Sequence, residues 1–343
     1  MINVTDVGLK KMVLLIPKQL QLMQVNKSYQ TRQSGKDKIK EAVRIALPKA
    51  YSTTKWLLSI MIPVSFGVMI LNYTGVLALI SSYLAPAFEL IGLPGESAFV
   101  LLTSIFTNIY TAIAVITSLE MQGRVVTILA VMCLVAHGFV IETAVLKKTG
   151  SSVVRMILLR VLGSFAIGAV LNWMIPSESV QQISSISRSK ESFSIMFLDW
   201  AQSSLLLSIK VIVLITLLMI FQKILELFGI IRWISKFLKP LQVIMGLPES
   251  TSFSWIVANT LGLAYGAAII MEQVEEGKMS KEDADLLNHH IAVSHSQLED
   301  PLLFAAIGVP LGWMIIPRLI LGIVVVWICR LERYLKYAFG KKC

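Results

Sequence analysis

Arg160 and Arg318 each stand in the middle of an apolar run, between Met156 and Gly163 and between Met314 and Gly322. A charge at the centre of a bilayer costs roughly 2.5–3.5 kcal/mol on the insertion scale, so it requires a partner or a wet cavity. In each case an acid, Glu142 or Asp300, precedes the arginine by 18 residues. If each pair of segments turns near Gly150 or Gly308, acid and arginine both lie roughly 10–15 Å from the turn. Two chemistries are then open. One is an ion pair that pins the hairpin; the other is a guanidinium that faces a central cavity and holds an anionic group.

His137 and His295 add proton chemistry. His295 and Glu299 are four residues apart and share a face on a continuous helix. His137 and Glu142, five apart, converge only if the helix breaks near Gly138. Buried histidine–carboxylate sets relay protons near neutral pH, so His137, Glu142, His295, Glu299 and Asp300 are the expected proton-coupling residues. Imidazole and carboxylate also suit a transition metal, but no complete ligand set stands out, and no metal or other cofactor is expected beyond a coupling ion, H+ or Na+. His289 and His290 read as solvated. Cys133, Cys329 and Cys343 form no C-x-x-C pair. There is no P-loop, and Ser294-His295-Ser296 beside Asp300 are sequence neighbours rather than a triad, so no enzyme is expected.

Two helices open after Leu-Pro, at Leu93-Pro94-Gly95-Glu96-Ser97 and at Leu247-Pro248-Glu249-Ser250. Pro and an early Glu are ordinary helix starters, yet helix N-termini at depth also hold substrates in inverted-repeat transporters. Glu96 and Glu249 are therefore candidate substrate contacts. So are Asn108 and Asn259, which lie among Thr103, Thr107, Tyr110 and Thr111 and among Thr260, Gly262, Tyr265 and Gly266. These small and polar residues serve helix packing equally well.

The elements that must position these groups are membrane helices. The 343 residues are 55% hydrophobic and 15% charged, with a mean hydropathy of +0.73, whereas soluble domains carry about 25% charged residues. Runs such as 56–71, 125–136, 205–221 and 319–329 fit spanning segments. The only early apolar stretch, Val13 to Ile16, is too short for a cleavable signal peptide. The chain also repeats itself. Leu84-Ala85-Pro86 and Gly92-Leu93-Pro94 return as Leu238-Lys239-Pro240 and Gly246-Leu247-Pro248, at an offset of 154. His137, Glu142, Gly150, Met156 and Arg160 return as His295, Asp300, Gly308, Met314 and Arg318, His and Arg at an offset of 158. Each half reads as an apolar helix (56–73, 203–222), an amphipathic arm (75–93, 225–247) and a helix opening after Leu-Pro (96–118, 249–271). A His/acid segment (124–146, 284–300) and a long apolar helix (151–175, 302–329) complete it.

Charge sets the orientation. The formal net charge is +10. Residues 1–55 hold eleven basic and three acidic side chains, a net +8, so the chain is not a general nucleic-acid binder. The arm at 70–86 lacks Lys and Arg, whereas 223–240 has Lys223, Arg232, Lys236 and Lys239. The 119–150 stretch is basic (Arg124, Lys147, Lys148) and 272–285 is acidic. Under the positive-inside rule the halves are inverted, with both termini cytoplasmic and positions 239 and 278 on opposite sides. Inversion needs an odd number of crossings per half, so at least one of four candidates is re-entrant or surface-lying; 284–300 is the least suited to face lipid. The expected layout is a basic amphipathic arm (1–55) on anionic lipid through Val13–Met23 and Lys38–Leu47, a first repeat (56–175), a linker (176–202), a second repeat (203–330) and a basic tail (331–343).

The Gly-Leu-Pro-(Gly)-Glu-Ser starts, the run from Asn259 to Ala268 and the run from His289 to Asp300 resemble the nucleoside-recognition (GATE) membrane domain family. That family is related to concentrative nucleoside transporters, the membrane domain of the ferrous-iron transporter and spore maturation proteins. The resemblance spans roughly 56–330 and implies two gate-like repeats around a central site. The fold expected is an all-α polytopic membrane protein of two inverted-topology repeats, with amphipathic arms and re-entrant or broken helices. The function expected is an inner-membrane secondary transporter for a small polar, anionic or nucleoside-type solute, with homo-oligomers allowed. A non-transporting scaffold and a lipid or lipid-phosphate translocase are the alternatives.

Overall fold

The computed structural model describes residues 34–176 and 192–340. The Val13–Met23 patch, most of the expected linker and Lys341–Lys342 lie outside the described residues. Among the described residues five helical segments are long and apolar enough to cross a membrane: Gly35–Tyr73, Gly123–Lys148, Val153–Met174, Phe193–Leu227 and Leu311–Phe339.

The first helix, α1 (Gly35–Tyr73), is continuous through the position where the sequence reading separates a basic arm from an apolar span. No glycine or proline lies between Lys49 and Ile62 to end it. It extends about 58 Å, against roughly 30 Å of hydrocarbon core, so its basic end projects past the apolar region. α2 (Val76–Glu89) is the arm.

The next segment corrects the sequence reading. Instead of one helix over 96–118 there are two, α3 (Ser97–Phe106) and α4 (Ile109–Ser118). Thr107 leaves helical geometry, and Asn108, extended at φ −166°, restarts the chain by accepting the Thr111 N–H at 3.0 Å, an N-cap that satisfies an orphan donor. The His/acid segment is likewise broken, into α5 (Gly123–Val135) and α6 (Phe139–Lys148), by Gly138 at φ +55°. α7 (Val153–Met174) closes the first half.

The second half repeats the plan. α8 (Phe193–Leu227) leads to the arm, α9 (Ile230–Phe237) and α10 (Lys239–Ile244). After the short turn Glu249–Thr251 come α11 (Ser252–Thr260) and α12 (Leu263–Glu275). Their break at Gly262 has φ +98° and ψ 165°, a region essentially reserved for glycine. A Cβ on Gly266 would lie 2.5 Å from the Ala258 Cβ. Eight residues along one straight helix would separate them by about 12 Å. The segment 252–275 is therefore a hairpin folded tightly on itself, a re-entrant element that enters and leaves at one end. α13 (Lys281–Ser294), α14 (Asp300–Ala305) and α15 (Leu311–Gly340) complete the chain.

Inversion is visible in which residues meet. Tyr73 contacts Phe193, Phe66 contacts Trp200, and Lys38 lies over Phe228. Partner numbers fall as α1 numbers rise, so the equivalent helices α1 and α8 run antiparallel. The same holds for α7 and α15, where Arg155 meets Glu332 and Gly163 faces Leu321. Each half holds one hairpin that returns, and the helices long and apolar enough to cross are three in the first half and two in the second. The hairpins are the elements that return, while 286–296, within the segment least suited to lipid, is buried throughout. One consequence overturns an expectation. Arg330 Nε donates to the Gly246 carbonyl at 2.5 Å, Arg333 pairs with Asp285, and Ser250 donates to Asp283. The arm and the turn at 276–280 thus sit at the same end, and positions 239 and 278 are on one side. The acidic character of 272–285, read under the positive-inside rule, had placed them apart.

Candidate functional site

The two broken helices meet at the centre of the molecule. A helix that stops inside a low-dielectric interior leaves carbonyls without partners. Here the arginines supply the donors. Arg160 Nε donates to the Val135 carbonyl at 2.9 Å and Nη2 to the His137 carbonyl at 2.6 Å. Arg318 Nε donates to the Val293 carbonyl at 3.3 Å and Nη2 to the His295 carbonyl at 2.6 Å. The pairs correspond residue for residue between the halves. Both side chains have 0% exposure, and each guanidinium also complements the negative end of its half-helix. Nη1 of both has no hydrogen-bond partner among the described residues.

The hairpin tips fasten the breaks. Gly138 N–H donates to the Ser104 carbonyl at 2.9 Å, and Ser296 N–H to the Ala258 carbonyl at 3.0 Å. Ser296 holds φ +50°, an uncommon conformation for a residue with a Cβ. It does in the second half what Gly138 does in the first.

The histidines are set by the same breaks. His137 Nδ1 lies 2.9 Å from the Cys133 carbonyl and His295 Nδ1 2.7 Å from the Ile291 carbonyl. A carbonyl only accepts, so each Nδ1 carries the hydrogen and each Nε2 is left to its other neighbours. Those neighbours converge on one carboxylate. Glu142 Oε1 is 2.9 Å from His137 Nε2 and 3.4 Å from His295 Nε2, while Oε2 is 2.7 Å from Arg160 Nη2. Asp300 Oδ2 lies 3.7 Å from His137 Nε2 and has no hydrogen-bond partner. The imidazoles are 5.1 Å apart between centroids, and the Phe139 ring covers Arg160 at 4.7 Å.

Of the expected set, the structure brings together His137, Glu142, Arg160, His295 and Asp300, with Arg318 behind the second break. The condition on Gly138 is met: the helix breaks there and His137 reaches Glu142. The first acid–arginine contact forms within its hairpin. In the second half no direct acid–arginine ion pair forms among the described residues: Asp300 Oδ2 lies 3.7 Å from His137 of the other half, while the Arg318 charge still acts on it. His295 and Glu299 do not share a helical face, because the chain breaks between them. Glu299 accepts from Tyr110 Oη and from Gln222 Nε2, both at 3.1 Å, and so ties hairpin and α8 to the edge of the cluster. Asn108 is the N-cap of α4, and Asn259 Nδ2 donates to the Trp255 carbonyl at 2.9 Å, leaving a buried Oδ1 without a partner. Glu96 and Glu249 stand at the hairpin bases, about 15 Å of helix from the tips. His289 and His290 are buried rather than solvated.

Three residues escaped the sequence reading. Gln222 holds Glu299, Lys49 binds the Tyr265 hydroxyl, and Lys210 is the one charge in the apolar stretch 205–221. That isolation was its signal.

Residues 54–152 match the model of the Gate family, described as nucleoside recognition. Over 285 residues the chain is 29% identical to the uncharacterized membrane protein YvoD of Bacillus subtilis (strain 168), covering 82% of this chain and 91% of that one. No solved structure matches. The matched segment contains α3 to α6, the first hairpin and broken helix, with His137 and Glu142 inside it. The chain is an all-α, multi-pass membrane protein whose residues 54–152 are similar to the Gate, nucleoside-recognition, family.

Proposed function

We propose that the protein is a secondary transporter-like permease, coupling the passage of a small polar, anionic or nucleoside-type solute between its halves to proton exchange at the central cluster. One observation carries this reading: a carboxylate with 15% exposure faced by two imidazole Nε2 atoms, one from each half. With Nδ1–H committed to the backbone, a neutral His137 presents a lone pair to Glu142 Oε1 at 2.9 Å. Two lone pairs at that distance repel, so a proton between them is what makes the contact favourable. Because His295 and Asp300 come from the second half, movement of the halves would change how that proton is held. That is the linkage a coupled carrier requires. Arg160 and Arg318 hold the broken helices in place, and their free Nη1 groups are the proposed anchors for solute charge. The +8 on residues 1–55 supports an inner-membrane orientation with both termini in the cytoplasm.

The test is uptake into proteoliposomes of labelled uridine, adenine and small organic anions, with an imposed proton gradient, a sodium gradient or neither. Proton-driven uptake lost in Glu142→Gln and His295→Gln is the expected result. Failure of every solute under every gradient would sink the transporter reading and leave the scaffold role.

A further inference from the structure

A second site lies outside the central cluster. A cleft of about 710 Å³, within the range of small-molecule sites, opens at the end where α1 finishes. The first half contributes the turn from α4 into α5, including Thr117, Gln122, Arg124 and Thr127; the second contributes Trp313 and the turn before it. Lys210 of α8 forms part of its wall.

Lys210 is far from where a lysine should be. Thr117 and Ser118, at the base of the first hairpin, share a crevice with Ser203 and Ser204, which fixes their common level. Seven residues further along α8, Lys210 lies about 10 Å deeper. An ammonium at that depth in a lipid-facing helix is unfavourable unless water or a counter-charge reaches it, and Lys210 lines an open cleft that Glu120 also lines. Lys210 makes no hydrogen bond or ion pair with the described residues. Arg124 is preset: Nε donates to the Ile175 carbonyl at 3.1 Å and Nη2 to the Asn172 carbonyl at 2.5 Å and to its side chain. The Nη1 edge of its guanidinium is left over. Two cations face one acid, Glu120, on the cleft wall, and the Trp313 indole offers a flat apolar surface beside them.

We infer that this cleft is an outer binding site for a phosphate-bearing anion, held by Lys210 and Arg124 and presented either by a soluble organic phosphate or by a lipid headgroup. Its role as the solute's first stop rests on the transporter reading; its chemistry does not, so binding and uptake fail independently.

The experiment is calorimetric titration of the full-length protein in phosphatidylcholine nanodiscs with uridine monophosphate, uridine and inorganic phosphate. Uridine monophosphate differs from uridine only in its phosphate, and should bind at least about tenfold more tightly, weakening as salt rises. Lys210→Gln should lose at least about tenfold in affinity while Lys210→Arg keeps it. Nanodiscs containing phosphatidylglycerol separate the sources. Competition with uridine monophosphate assigns the cleft to headgroups as well, and its absence assigns it to soluble anions. Equal binding of uridine and its monophosphate, or unaltered binding by Lys210→Gln, overturns the inference. So does salt-independent binding by the wild type, a readout that needs no variant to fold.

Discussion

Replacing the two arginines separately should give unequal losses of stability, although their sequences are matched. Arg160→Gln removes the donor to two carbonyls at 2.9 and 2.6 Å and the partner of Glu142 at 2.7 Å. Glu142 then keeps only the proton it shares with His137 in place of the guanidinium, and breaking a buried pair from one side costs up to about 3–5 kcal/mol. Arg318→Gln removes bonds to two carbonyls, the Nε one longer at 3.3 Å, and takes from Asp300 a charge that acts on it without a direct ion pair. A glutamine amide can restore one of these bonds, so the loss should be about 2 kcal/mol. The difference of about 2 kcal/mol corresponds to several degrees in the midpoint, at roughly 2–4 °C per kcal/mol for domains of moderate size. Purified protein heated in steps and assayed by size exclusion reports it without assuming reversibility. Adding Glu142→Gln to Arg160→Gln should recover about 1–3 kcal/mol, since the stranded charge is gone. If Arg318→Gln is the more damaging variant, or the double variant recovers nothing, then the arginines are not acting as caps and counter-charge in the way described.

Gly266→Val places a side chain where a Cβ alone would be 2.5 Å from Ala258, and should cost at least about 1–3 kcal/mol by forcing the hairpin open. Gly312→Ala, with nothing within 4 Å of the added carbon, is the matched control and should melt like the wild type. In a background free of native cysteines, Lys236→Cys and Lys278→Cys should label from the same side of sealed membranes. Labelling from opposite sides would mean that 252–275 crosses rather than returns.

Much of this was legible because the signals are local. Arg160 and Arg318 are visible as charges in apolar runs, and the offset of 158 aligns His, acid, Gly and Arg in one register. Gly138 flagged a break that the structure contains. The hairpins were not legible, because Asn259 to Ala268 reads as helix on either side of Gly262 and only the Gly266–Ala258 contact reveals the reversal. The charge comparison failed at 278 for the same reason. Glu299 was assigned to His295 by helical spacing, but the break at Ser296 sends it to Tyr110 and Gln222 instead.

The sequence by itself determined the membrane class and the duplication, since hydropathy and repeated motifs are properties of segments, while the inversion is fixed by the antiparallel contacts of α1 with α8 and of α7 with α15. Only the tertiary structure decided what the conspicuous charges do. Glu142 meets two histidines and an arginine because two helices break at one point and cross. Asp300 makes no direct ion pair with the arginine of its own half and approaches a histidine of the other. Such pairings depend on backbone carbonyls and on residues more than 150 positions apart, and no local pattern encodes where a broken helix will point its open end.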